Sequence, residues 1–234
     1  MEENNNQSPT IWFFGDSWPS GEELKGDELS KAFPFGVGRL LDMRVENKAV
    51  SGSSLEGMIE AFLVSNIRAN DIAIFCCTAS TRRLYRTERG RIIEPQYQTD
   101  TTYVNPYEDS RVASHCCVLL YHLTKSRGAA PYFFNLFQSV RYVDPMYHEI
   151  PESNWLIPKT ESVLSYLFDP EFFHTWDHHT NGDFLDWLKT ESKLVKKYIR
   201  PSQAHPNVTG HETIANFIAE QLTIKVENDY KEKN

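Results

Sequence analysis

Ile11-Trp12-Phe13-Phe14-Gly15-Asp16-Ser17 is the stretch on which the reading of this chain turns. Four consecutive apolar residues closed by a Gly-Asp-Ser turn cluster read as a buried strand over residues 11–15, with Ser17 just past its end. Some 190 residues later His205-Pro206-Asn207 stands immediately before the last amphipathic segment of the chain. A serine hydroxyl is a weak nucleophile near neutral pH and needs a base within hydrogen-bond reach. Ser17 and His205 therefore read as a nucleophile and its base, provided the fold brings the two ends of the chain together.

Working outward, Val45 to Val50 reads as a second strand. Ser53-Ser54-Leu55-Glu56 is a capping box, and the helix it opens carries Leu55, Met58, Ile59, Phe62, Leu63 and Ile67 at i, i+3, i+4 spacing. Asp71 to Thr78 is almost wholly apolar, as a parallel strand covered on both faces is. Asn105-Pro106-Tyr107-Glu108 supplies an N-cap, a proline at the first helical position and an early glutamate, which predicts a long helix over Pro106–Ser126 ended by Gly128. Tyr132 to Phe137 is a fourth strand, and Asp183 to Tyr198 an amphipathic helix. Thr209-Gly210-His211-Glu212 is a second capping box for a last helix through Ile214, Phe217, Ile218 and Leu222. This alternation predicts a three-layer α/β/α fold with a mostly parallel, flavodoxin-like sheet.

Two segments exceed the minimal alternation. Residues 82–104 carry Glu88-Arg89-Gly90-Arg91 as a hairpin tip, and residues 138–190 are dense in aromatics, among them Tyr142, Trp155, Tyr166, Trp176 and Trp187. The expected organisation is a polar lead-in at 1–10, one domain over 11–224 with these two insertions, and a polar tail at 225–234. A chain of 234 residues, 40% hydrophobic and 13% aromatic, has the material for one substantial core.

A formal charge of −8, with no run of more than two basic residues, argues against a nucleic-acid partner. No apolar stretch approaches the ~20 residues of a membrane span, and residues 1–10 lack the basic and apolar regions of a signal peptide. No membrane partner and a cytoplasmic location are expected, with assembly into a virion left open. Cys76-Cys77 and Cys116-Cys117 lack metal-site or redox-motif spacing and read as small buried hydrophobes. His174 and His178 stand at i, i+4, but no zincin-type glutamate lies between them, and a solvated or substrate-facing cap outweighs a metal site.

In a doubly wound sheet the reactive groups gather beyond the C-terminal ends of the strands. Ser17 follows the first strand, Gly52 the second, Ser80 the third, and His205 precedes the last helix. The backbone N–H groups of Ser17 and Gly52 are candidate oxyanion donors. With Gly15-Asp16-Ser17 first, Gly52 at the end of Asn47-Lys48-Ala49-Val50-Ser51-Gly52 second, and His205-Pro206-Asn207 last, the chain resembles the SGNH (GDSL-type) hydrolases. Two blocks depart from that pattern. The Gly-x-Asn-Asp of the third block is replaced by Cys77-Thr78-Ala79-Ser80-Thr81-Arg82-Arg83, with Ser80 matching the asparagine that donates to the oxyanion. The aspartate three residues before the histidine is replaced by Ser202, so a carboxylate from elsewhere, such as Asp144 or Asp177, or a backbone carbonyl, is left to orient the imidazole.

The resemblance implies a serine esterase without metal or cofactor, removing a small acyl group. An acetyl ester of a carbohydrate is the first choice of substrate, on the aromatic insertion and the arginine pair. Asp16, Trp18, Arg82 and Arg83 are the candidate substrate-binding residues. A lipid esterase or thioesterase is an alternative. The competing class is a weakly active or inactive binding module, for which the two departures speak directly.

Overall fold

The first strand, Thr10–Phe14 (β1), is buried at every position because helices cover both faces of the sheet it belongs to. The computed structural model describes residues 8–78, 85–86, 92–93, 106–136, 148–159, 161–163, 166–167, 197–200 and 205–232. After β1 come a short helix α1 (Ser17–Ser20), α2 (Phe33–Leu41), β2 (Arg44–Asn47), α3 (Leu55–Leu63) and β3 (Ile72–Cys77). A hairpin of β4 (Tyr85–Arg86) and β5 (Ile92–Ile93) follows, then α4 (Pro106–Ser126), β6 (Ala130–Asn135), the pair β7 (Ile199–Arg200) and β8 (His205–Pro206), and α5 (Val208–Glu232).

β2, β1, β3 and β6 form one sheet in that order, with all three pairings parallel. The period of two along each strand sends alternate side chains to opposite layers. Ile11, Phe13, Ile74, Cys76 and Phe134 pack with Phe33 and Val37 of α2 and with Ile214, Ile218 and Leu222 of α5. Trp12, Phe14, Phe75, Cys77 and Phe133 pack on the other face with Leu55, Met58 and Phe62 of α3 and with Cys117 and Leu120 of α4. Cys76 and Cys77 thus divide between the two layers, while Cys116 and Cys117 share one. All four are free and buried, and the Cys77 and Cys117 sulfurs lie 3.8 Å apart.

The three-layer parallel fold, α4 and the four strands stand as the sequence predicts, with strand ends shifted by one to three residues. Two helix starts differ. The N-cap of α3 is Ser54, whose Oγ accepts from the Gly57 N–H at 3.2 Å, one residue later than the capping box implied. α5 begins at Val208, and Asn207 Oδ1 accepts from the Gly210 N–H at 2.9 Å, so Asn207 and not Thr209 caps it. The 82–104 excursion does hold an antiparallel hairpin, Tyr85 pairing Ile93 and Arg86 pairing Ile92; its tip lies outside the described residues. Most of the helix expected over Asp183–Tyr198 also lies outside them. In the second excursion Trp155 is 3% exposed and bridges Phe133 at the sheet edge, so this ring is core and is not offered to a ligand.

Two contacts fix the sheet's register and depth. Asp71, fully buried at the start of β3, accepts hydrogen bonds from the Thr10 N–H at 2.9 Å, Trp12 Nε1 at 3.0 Å and the Arg68 N–H at 3.0 Å. It thereby ties the head of β1 to that of β3. On the other side α2 lies against α5 and β2 through glycines: a Cβ at Gly36 would sit 2.7 Å from Ala215 Cβ, and one at Gly38 would sit 2.6 Å from Val45 Cγ2. Asp71→Ala leaves buried donors unsatisfied, a cost of about 2–4 kcal/mol. The urea midpoint is expected to fall accordingly with the slope of the unfolding transition unchanged.

Candidate functional site

Strand order β2-β1-β3 makes the C-terminal end of β1 the point where the connections diverge to opposite sides, the place where doubly wound folds bind ligands. The chain turns sharply there. Gly15 admits no side chain, since a Cβ would lie 2.4 Å from Pro19 Cγ and 2.9 Å from Cys76 Cβ. Asp16, fully buried, caps α1: its Oδ1 accepts from the Trp18 N–H at 3.1 Å and its Oδ2 from Thr78 Oγ1 at 2.7 Å. Ser17 is thus held at the first position of α1, 5% exposed, over the end of the sheet. Burial, with the Asp16 carboxylate nearby, pushes the Cys76 thiol well above its ordinary range, so it is an inert hydrophobe beneath the turn.

The loop after β2 is laced to the same turn. The Lys48 N–H donates to Phe13 O at 2.8 Å, the Val50 N–H to Gly15 O at 3.0 Å, and Asn47 Nδ2 to Pro19 O at 2.7 Å. Gly52, at φ +75°, ends this loop in the left-handed conformation that glycine adopts without strain. The backbone N–H groups of Ser17 and Gly52 donate to no described residue.

His205 reaches the site on β8, which lies against α1. The β7–β8 pair sets Arg200 opposite His205 and Ile199 opposite Pro206. Asn207 locks the hairpin to α5, its N–H donating to Tyr198 O and its Nδ2 to Lys197 O, each at 2.8 Å. The His205 side chain is 14% exposed and stands between two carboxylates. Its Nδ1 is 3.5 Å from Glu23 Oε1, and its Nε2 is 3.6 Å from Glu22 Oε2. Glu22 also accepts a short hydrogen bond from Ser51 Oγ in the Gly52 loop. No hydrogen bond joins Ser17 Oγ to His205 directly.

The structure therefore brings the Ser17 turn, the Gly52 loop and His205 to one end of the sheet. Two of the expected substrate-binding residues are corrected. The Asp16 carboxylate is spent inside the protein on Trp18 and Thr78, and the Trp18 ring is 1% exposed in the core, so neither presents a surface to a substrate. Ser80, Arg82 and Arg83 lie outside the described residues, as do Asp144, Asp177, Ser202, His174 and His178. Among the described residues no three His, Cys, Asp or Glu side chains converge as a metal-binding group. Sequence reasoning missed Glu22 and Glu23. Nothing in their spacing from Ser17 marks them, because what gives them meaning is the docking of a hairpin some 180 residues away.

One further histidine underlies the site. His211 on α5 is buried and its Nδ1 accepts from the Phe33 N–H at 3.2 Å. Burial, with the neighbouring His205 and Arg200 adding to it, lowers its pKa from 6.5 to about 3.

The whole architecture has counterparts among solved structures. An acetyl xylan esterase, Est2A, from the rumen bacterium Butyrivibrio proteoclasticus superposes with a TM-score of 0.50 at 13% identity, over 94% of this chain and 64% of that one. The parallel α/β fold of this chain is shared with that esterase. A protein described as lipolytic and of the G-D-S-L family, from Desulfitobacterium hafniense, matches at a TM-score of 0.48 and 10% identity, over 92% of this chain and 99% of that one. The psychrotrophic esterase EstA from Pseudoalteromonas matches at a TM-score of 0.44 and 10% identity, over 96% and 100%. No family model and no curated protein matches the sequence.

The depressed His211 pKa makes a pH prediction. Between pH 6.5 and about 3 the unfolded chain binds a proton at this residue that the folded chain refuses. Stability from this group is complete above 6.5 and is lost as pH falls toward about 3. Urea titrations over that range are expected to show a fall that His211→Asn, which keeps a side-chain acceptor without a titratable ring, reduces by about one proton's worth of slope.

Proposed function

We propose that this chain is a serine ester hydrolase, a single SGNH-type domain in which Ser17 is the nucleophile and His205 the base. The observation that carries the reading is the convergence at the end of β1: a turn that holds Ser17 rigidly, packed against the two-residue strand that bears His205. In the reaction His205 Nε2 takes the Ser17 hydroxyl proton as Oγ bonds to the ester carbonyl carbon. The carbonyl oxygen, now negative, is met by the N–H groups of Ser17 and Gly52, and by Ser80 as a third donor. The bond to the alcohol oxygen then breaks, and that oxygen takes the proton from His205. A water molecule, deprotonated by His205, attacks the acyl-enzyme, and Ser17 leaves with its proton restored.

A small acyl group on a carbohydrate alcohol is the substrate class this reading favours. The aromatics of residues 138–190 other than Trp155 suit sugar stacking, Arg82 and Arg83 suit an anionic group on the acceptor, and the acetyl xylan esterase shares the fold. The chemistry calls on no cofactor. Glu22 beside Nε2 favours a second reading, a binding module, since a carboxylate there competes with the serine hydroxyl for the base.

Covalent labelling by a fluorophosphonate, together with hydrolysis of p-nitrophenyl acetate, separates the two. The wild type is expected to be labelled and to turn over. Ser17→Ala should abolish labelling, and Ser17→Ala and His205→Ala should each lower kcat by about 10⁴–10⁶-fold. Equal labelling of wild type and Ser17→Ala would remove Ser17 from the mechanism. A wild type neither labelled nor active would favour the binding module.

A further inference from the structure

We infer that Glu23 is the residue that positions His205, a carboxylate moved from the base's own segment to the turn that follows the nucleophile. The inference rests on His205 being the base, as proposed above, and adds the group that fixes its orientation.

Four observations carry it. First, Glu23 Oε1 faces Nδ1 at 3.5 Å, and Nδ1 is the ring nitrogen that must hold the proton if Nε2 is to accept one from the serine. Second, the pair is withdrawn from solvent: the side chains are 14% and 10% exposed, and His205 Nδ1 and Glu23 Oε2 are both buried with no hydrogen-bond partner among the described residues. A buried donor and a buried carboxylate so placed are each other's available partner, and such contacts run long in an enzyme without substrate and tighten when it binds.

Third, the backbone that carries Glu23 is built into the hairpin that carries His205. Arg200, cross-strand from His205, donates from Nη1 to Glu23 O at 3.0 Å and from Nη2 to Glu28 Oε2 at 3.2 Å. One side chain thus ties the Glu23 turn to the hairpin that bears the imidazole. Fourth, the nearby alternatives among the described residues are unsuited. Glu22 lies on the Nε2 side, is 43% exposed and is engaged by Ser51. His211, buried and uncharged over most of the pH range, offers no negative charge. The residue three positions upstream of His205 is a serine, which has no charge to give.

The resulting division of labour is simple. Glu23 accepts the Nδ1–H hydrogen bond and does not take the proton; its negative charge favours the imidazolium formed when Nε2 removes the Ser17 proton. Glu22 is displaced from Nε2 as the hydroxyl engages it.

The test compares Glu23→Gln, Glu23→Asp, Glu22→Gln and Ser17→Ala with the wild type in p-nitrophenyl acetate hydrolysis. An amide offers Nδ1–H a weaker acceptor and no charge, so Glu23→Gln should lower kcat by about 10³–10⁴-fold while KM changes by less than about threefold. The thermal midpoint should stay near that of the wild type. Glu23→Asp should recover part of the loss, and Glu22→Gln should lose less than Glu23→Gln. A second readout does not depend on turnover. Imidazole ¹⁵N spectra of the neutral ring, assigned through His205→Gln, should show the proton on Nδ1 in the wild type and a shift toward Nε2 in Glu23→Gln. Wild-type kcat in Glu23→Gln while Ser17→Ala is dead overturns the role of Glu23 alone. A larger loss in Glu22→Gln than in Glu23→Gln overturns it too. Activity surviving in Ser17→Ala overturns the hydrolase reading itself. In an inactive wild type the tautomer decides: Nδ1–H lost on Glu23→Gln upholds the contact, and no change between the two spectra overturns it.

Discussion

A single buried carboxylate holds the working end of this molecule together. Asp16 accepts from the backbone of the turn after β1 and from the Thr78 hydroxyl just past β3. These two strands are neighbours, and nothing in a parallel ladder by itself ties their ends. A carboxylate taken wholly out of water is costly unless its lone pairs are met, and those two donors meet it. The position of Ser17 follows from that bond, and the Gly52 loop then locks onto the same turn through Gly15 O and Pro19 O. The aspartate of Gly-Asp-Ser is thus a structural member of the motif. Gly15 is the other, as the only residue small enough for the gap between Pro19 and Cys76.

Much of this fold is legible in the sequence, for identifiable physical reasons. β1 and β3 are continuous apolar runs because both of their faces are covered, and Pro106 at the head of α4 fixes a helix start that few other residues could mark so clearly. The helix starts that were misplaced, those of α3 and α5, each lie where two good capping residues compete within three positions: Ser53 with Ser54, and Asn207 with Thr209. Local pattern cannot rank such neighbours; packing of the helix on the sheet does. Trp155 was ambiguous for a related reason, since an aromatic ring suits a sheet edge as well as a cleft.

The candidate site divides along the same line. The placement of Ser17, Gly52 and His205 together was legible because each stands at a strand end or a helix start, places set by periodicity. Glu22 and Glu23 were not, because their significance depends on a two-residue ladder and an arginine clamp that no local pattern encodes. A geometric requirement on one ring nitrogen does not specify which stretch of chain must satisfy it. A substitution in the histidine segment, read alone, looks like a loss, whereas in three dimensions Glu23, in the segment that follows Ser17, faces the same ring nitrogen.

The glycine seam between α2 and its neighbours has a consequence of its own. Gly36 lets α5 approach until Ala215 fills the space a side chain would occupy, and α5 in turn carries Asn207 and the hairpin that presents His205. The thickness of that seam therefore sets the spacing between Ser17 and His205, the reacting groups of the proposed mechanism. One methyl at Gly36 would push α5 outward. Displacement of about 1 Å at a reacting group costs on the order of a hundredfold in rate. Under the proposed mechanism a residue buried between two helices thus belongs to the mechanical tolerance of the chemistry, and selection for turnover would be felt there as selection for smallness.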